Sequence, residues 1–109
     1  MAILWLDDVR DPARHGYAGA VWAKTYLEAI LALKTRTISK ASLDHDLSIE
    51  QTLGFEDKMP TGYDVVVWLC QNPEYWPPLG VRVHSANPVG RARMEKLIED
   101  FVAGRNPFL

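Results

Sequence analysis

A chain of 109 residues carrying 12 Lys and Arg against 14 Asp and Glu, with 48% hydrophobic residues, is expected to fold as one globular domain over residues 1–109. A net charge of −2 gives no electrostatic case for gripping duplex nucleic acid through its phosphates, and leaves a phosphorylated small molecule or an RNA end as the phosphate-bearing ligand. A single Cys rules out an internal disulfide and points to the reducing cytoplasm, and no stretch approaches the roughly 18 apolar residues of a membrane span, which argues against secretion or a membrane partner.

Ala2 to Leu6 is a short apolar run ended by charge, the pattern of a central strand covered on both faces. The following "DPARHGYAGA" carries Pro12, Gly16 and Gly19, which leaves room for at most one helical turn before a second short strand near Val21 to Lys24. At "TYLE", Thr25 can cap and Glu28 can answer it, ahead of Leu27, Ile30 and Leu31 at helical spacing, so a helix is predicted to end near Thr35. Ile38 to Leu43 reads as a third strand. The polar "SIEQTLGFEDKMP" after it reads as a flap over the surface.

Helix signals return at "PTGYD", where Thr61 and Asp64 form a capping pair before Val66, Val67, Trp68 and Leu69. Cys70 shares a stripe with Tyr63, Val66 and Val67 and is read as core. "GVRVHS" alternates Val81 and Val83 against Arg82 and His84, as an edge strand with one wetter face would. Asn87 then caps a last helix with Pro88 at its first position, and Met94, Leu97, Ile98, Phe101 and Val102 follow helical spacing until Gly104.

Strands alternating with helices imply a mostly parallel sheet of four strands with three helices on its faces. Ligands of such sheets bind beyond the carboxyl ends of the strands, where the charged clusters of this chain all fall. Asp7, Asp8, Asp44, His45, Asp46, His84 and Ser85 are therefore expected on one rim. Crowded carboxylates repel, and the repulsion is relieved by a proton, a basic side chain or a hard cation. Asp7, Asp8, Asp44 and Asp46 are accordingly candidate ligands of Mg²⁺, an ion that prefers oxygen donors and is often completed by a phosphate. The plainer alternative pairs Asp8 with Arg10 and leaves Asp46 to turn the next loop.

The start of the last helix adds a phosphate argument of its own, since free N–H groups and the helix dipole favour an anion there. Ser85, Asn87 and Arg91, with Arg10 from the first loop, are the candidate phosphate-binding residues. His45 and His84 can move protons at neutral pH, as hydrolysis of a phosphodiester requires, and are the candidate catalytic pair with Asp44. Taken alone, each histidine reads as a structural residue of its strand end before a catalytic one, and His15 has no acidic company.

"LDD" after the first strand, "LDHD" after the third, "MPTGYD" and "HSA" resemble the motifs of response-regulator receiver domains. That resemblance implies that Asp7 and Asp8 hold Mg²⁺, Asp44 accepts a phosphoryl group, Asp46 lies where a metal-binding carbonyl is supplied and Ser85 touches the phosphoryl oxygens. The lysine that ends the fifth receiver strand has no match, because only "GRNPFL" follows the last helix. The whole pattern "LDD.R.P", "LDHDL", "TGYDVV.WL" and "HSANP.G...M" is similar to the cyclic-phosphate processing receiver domains, over nearly the whole chain. It implies a flavodoxin-like α/β three-layer sandwich with strand order 2-1-3-4, lacking the fifth strand, and an activity on cyclic nucleotides or RNA 2′,3′-cyclic phosphate ends.

Three functions compete on this reading. The first is a cyclic-phosphate hydrolase in which His45 and His84 divide the acid and base roles. The second is a signalling module phosphorylated at Asp44, and the third a non-catalytic binder that sequesters a cyclic nucleotide. Tyr17, Trp22 and Phe55 are candidates to stack on a base, and equally ordinary packing residues.

Overall fold

Four short runs of apolar sequence form a single parallel sheet in the computed structural model, which describes residues 2–47 and 60–108. Strands β1 (Ala2–Leu6), β2 (Val21–Ala23), β3 (Ile38–Leu43) and β4 (Val81–Val83) lie in the order β2-β1-β3-β4, the order that the motif resemblance implied. Leu6 is in register with Ala23 on one side and Leu43 on the other, and Leu43 with Val83, so the four carboxyl ends finish level. The polymer leaves the sheet with Asp7, Lys24, Asp44 and His84 side by side. The residues of the expected flap, and Phe55 within it, lie outside the described residues.

Among the described residues, three helices follow where capping chemistry predicts them. Helix α1 (Tyr26–Lys34) starts where the Thr25 hydroxyl accepts the Glu28 N–H at 3.1 Å while Glu28 Oε1 accepts the Lys24 N–H at 3.0 Å. Helix α2 (Gly62–Gln71) starts where Asp64 Oδ2 accepts the Thr61 N–H at 2.7 Å. Helix α3 (Pro88–Val102) starts where Asn87 Oδ1 accepts the Gly90 N–H at 3.0 Å.

Strand alternation sorts the side chains into two populations. Leu4, Leu6, Ala41, Leu43 and Val81 join Ile30 and Leu33 of α1, Val66 and Leu69 of α2, and Met94 and Leu97 of α3 in one buried cluster. Cys70 is fully buried in it, and burial pushes its thiol up to about 11, which keeps it protonated and inert at neutral pH. The intervening residues Trp5, Ser42 and Arg82 face the other way. There the third layer is the β1–β2 segment with its 3-10 turn at Pro12–His15, whose His15 and Tyr17 rings lie against Trp5 at 5.5 and 5.1 Å between centroids. Burying Trp5 to 2% exposure contributes ~3 kcal/mol by area, and its indole N–H is satisfied by the Arg10 carbonyl at 2.9 Å.

Candidate functional site

Position 7 continues the parity of Trp5, and position 44 that of Ser42, so both aspartates leave their strands on the face opposite the helices. Asp7 is fully buried. Its Oδ1 accepts the N–H groups of Val9 and Arg10 at 2.9 Å each, and its Oδ2 meets His84 Nε2 at 3.1 Å. Burial alone would raise its pKa, but the His84 contact and the two backbone N–H groups prevail and hold it below the ordinary carboxylate value. Asp7 is therefore an ionised acceptor, which requires a proton on His84 Nε2. On a neutral ring Nδ1 then accepts from the Ser42 hydroxyl 2.8 Å away.

The resulting Ser42, His84 and Asp7 chain has the residue types of a hydrolytic triad. Ser42 is 2% exposed, however, and cannot reach a substrate. The chain instead fixes His84, whose ring is stacked on Trp5 with centroids 3.9 Å apart and planes 4° from parallel. Arg10 adds a clamp: its Nη1 donates to the His84 carbonyl at 3.0 Å, and its Nε lies 3.8 Å from Asp7 Oδ2. The ion pair of Arg10 is thus with Asp7; Asp8, the partner of the plainer reading, interacts with it only at longer range.

Asp44 is 6% exposed and carries its charge in a different environment. Burial first, then the negative charge of Asp7, push its carboxyl up, against hydrogen bonds from Ser85 and the His45 N–H. The ligand atoms of Asp7, Asp44 and His84 lie within 4.8 Å of one another. Two carboxylates and an imidazole, one carboxylate held charged against its burial, are a fitting donor set for a divalent cation. Asp8 and Asp46, candidate ligands by sequence, stand outside this trio. Asp8 shares the rim electrostatically, its pKa raised by burial and by the charges of Asp7 and Asp46.

His45 has a different arrangement. Its Nδ1 is 2.7 Å from Asp46 Oδ1, so the carboxylate fixes the Nδ1–H tautomer and leaves a lone pair on Nε2. Nε2 has no hydrogen bond to any described residue. Asn87 Nδ2 reaches Asp46 Oδ1 at 3.3 Å, which ties this pair to the start of α3. Two glycines make the approach feasible. A Cβ at Gly90 would lie 2.5 Å from the His45 ring, and one at Gly62 would lie 1.7 Å from the Asp44 carbonyl oxygen.

The helix start offers less to an anion than expected. Pro88 has no N–H, Gly90 is capped by Asn87, and the Asn87 N–H goes to Ser85 Oγ at 3.1 Å, which leaves the Val89 N–H. Ser85 is buried between Asn87 and Asp44. Arg91 turns along α3 to Glu95 at 3.4 Å and lines a concavity beside β4 rather than the rim. Arg10 is the one candidate cation that touches the cluster. Sequence reasoning missed Trp5, Ser42, Gly62 and Gly90; strand parity with Asp7 and Asp44 was the available signal for the first two.

A parallel sheet in the order 2-1-3-4 with acids gathered at its carboxyl rim defines a receiver-like α/β domain. The chain belongs to the cyclic-phosphate processing receiver domain family, whose model matches residues 2–100. Searches of curated proteins and of solved structures found no match.

Proposed function

We propose that this domain hydrolyses a cyclic phosphate, with His45 as the general base. The observation that carries the reading is the His45 and Asp46 pair at 2.7 Å, whose Nε2 has no partner among the described residues and belongs to the neighbour of a buried carboxylate of the cation-competent trio. In this reading water attacks phosphorus as Nε2 takes its proton, the ring P–O bond breaks, the departing alkoxide takes a proton from solvent water, and the imidazolium returns its proton to the hydroxide so formed. Asp46 holds the imidazole in the required tautomer and stabilises the imidazolium, while Asn87 holds Asp46. Arg10 faces the phosphate with the guanidinium N–H groups it has not committed. Asp7, Asp44 and His84 would hold the cation, Mg²⁺ by the receiver resemblance and Mn²⁺ or Zn²⁺ by the presence of an imidazole. Such an ion supplies charge neutralisation for the phosphate oxygens and the leaving alkoxide.

Without the cation His84 is a positioning residue, since both ring nitrogens are engaged; to ligate, its Nε2 would give up the proton it shares with Asp7. Asp44 likewise supports the rim rather than accepting a phosphoryl group: it is buried and already accepts from His45 and Ser85. The test is turnover of 2′,3′- and 3′,5′-cyclic nucleotides by wild type and by His45→Ala, Asp46→Asn, His84→Ala and Asp44→Asn, with and without Mg²⁺ or Mn²⁺. His45→Ala is expected to lower kcat roughly 10²- to 10⁴-fold with KM little changed. Undiminished turnover in His45→Ala, or none in wild type together with a stable mass gain at Asp44 from acetyl phosphate, would sink the proposal and favour the signalling module.

A further inference from the structure

The rim bears one aromatic ring that the catalytic reading leaves unused. Trp22 is 36% exposed, although it sits in a strand directly beside Trp5, its register partner, which is 2% exposed. Neighbouring residues of parallel strands point to the same face, so Trp22, Trp5 and the His84 ring stacked on Trp5 form one aromatic row leading to the acidic cluster. Trp22 is also fixed in orientation. Its indole N–H donates to the backbone carbonyl of Asp7 at 2.8 Å, the same residue whose carboxylate joins Asp44 and His84. One face of the ring is met by the Lys24 ammonium, 4.6 Å from its centroid. Among the described residues no other ring contacts it.

An indole pinned by its N–H, yet left exposed in the middle of the edge strand β2, is a stacking platform rather than a packing residue. The ligand that fits has an anionic phosphate for the cluster once a cation neutralises it, and a planar ring for the indole beside it. From this we propose that Trp22 stacks on the nucleobase of a nucleoside cyclic phosphate, and that this contact selects nucleotides over base-free cyclic phosphates. The inference rests on the cyclic-phosphate reading and adds the ring-bearing class of the substrate.

The experiment compares three ligands: 2′,3′-cyclic AMP, a short RNA ending in a 2′,3′-cyclic phosphate, and glycerol 1,2-cyclic phosphate. Turnover and calorimetric binding are measured for wild type, Trp22→Ala and Trp22→Phe, each checked for an intact melting transition. Because stacking is worth ~1–3 kcal/mol per base, Trp22→Ala should raise KM and Kd for both base-bearing ligands roughly 5- to 150-fold, with kcat little changed. Trp22→Phe should recover most of the loss, since Phe keeps a π-face without the N–H, and the loss should be confined to the base-bearing ligands. The ratio of the first two affinities tells a free nucleotide from an RNA end. An equal loss on the glycerol ester would assign Trp22 a merely structural role and overturn the inference, as would no loss on any ligand or no binding of either base-bearing ligand. Binding of the nucleotide that depends on Trp22, without turnover of any ligand, would instead end the hydrolase reading and leave the stacking inference standing.

Discussion

Asp7 and Asp44 have ligand atoms within 4.8 Å of each other yet are shifted in opposite senses, Asp7 down and Asp44 up. A carboxylate with a depressed folded-state pKa contributes stability that is present above its unfolded pKa and lost as pH falls through the folded one. One with a raised value is the reverse: folding is favoured while it is protonated, and the benefit is lost as pH rises through the folded pKa. Asp44→Asn should therefore raise the melting temperature at pH 7, with the gain fading as pH drops through the elevated Asp44 pKa. Melting curves from pH 4 to 8 check this, and a gain independent of pH would refute the assignment of a buried charge. Gly90 tests the neighbouring histidine. An added Cβ would sit 2.5 Å from the His45 ring, which is anchored by Asp46 and cannot simply swing away. Gly90→Ala is expected to cost ~1–3 kcal/mol in overpacking and, by displacing the imidazole, on the order of 10²-fold in kcat. A urea titration and a kcat measurement on the same sample separate the two effects. The acids and histidines were legible in sequence because charge directly after an apolar run has one plausible location. That His84 would be locked between Asp7 and Ser42, while His45 Nε2 has no partner among the described residues, was not, because it depends on contacts across 77 and 42 positions of chain.

Capping pairs made the elements legible, since each states its helix start within four residues. Thr25 with Glu28, Thr61 with Asp64, and Asn87 with Pro88 all begin helices where the sequence placed them. What the local pattern could not show was that the Asn87 cap also serves the site. Its Oδ1 holds Gly90 while its Nδ2 reaches Asp46 at 3.3 and 3.5 Å. This double duty also explains why the helix start has little left for an anion: its polar groups are spent on one another. Asn and Asp cap helices about equally well, so Asn87→Asp keeps the helix start but replaces a donor with a carboxylate facing Asp46. Asn87→Ser keeps the cap without the charge. Urea unfolding should rank wild type above Ser and Ser above Asp, with the Asp variant ~1–2 kcal/mol below wild type. Equal stability of Asp and wild type would show that the Asp46 contact contributes nothing.

The strand order carries the functional argument for the molecule. Placing β1 between β2 and β3, and β4 beyond β3, brings Asp7, Asp44 and His84 together from three adjacent strand ends. The alternation of strand and helix was enough to expect a parallel sheet, but not to predict that all three helices would share one core cluster while the β1–β2 segment covered the other face. Trp5 anchors that segment, buried against the rings of His15, Tyr17 and His84. A cation bound by residues from β1, β3 and β4 ties the sheet together at its open end and binds only the folded state. At 100 times its Kd it should stabilise the fold by ~2.7 kcal/mol, a rise in melting temperature of roughly 10–20 °C for a domain of this size. The donor set predicts Mn²⁺ and Zn²⁺ ahead of Mg²⁺, because an imidazole suits the softer ions. Thermal melts with each ion against a chelated control make the measurement, and Asp7→Asn and Asp44→Asn should each remove most of the shift. A shift that survives both substitutions would place the ion elsewhere, and no shift with any of the three would mean that the shared proton of His84 and Asp7, rather than a metal, balances the charge of this rim.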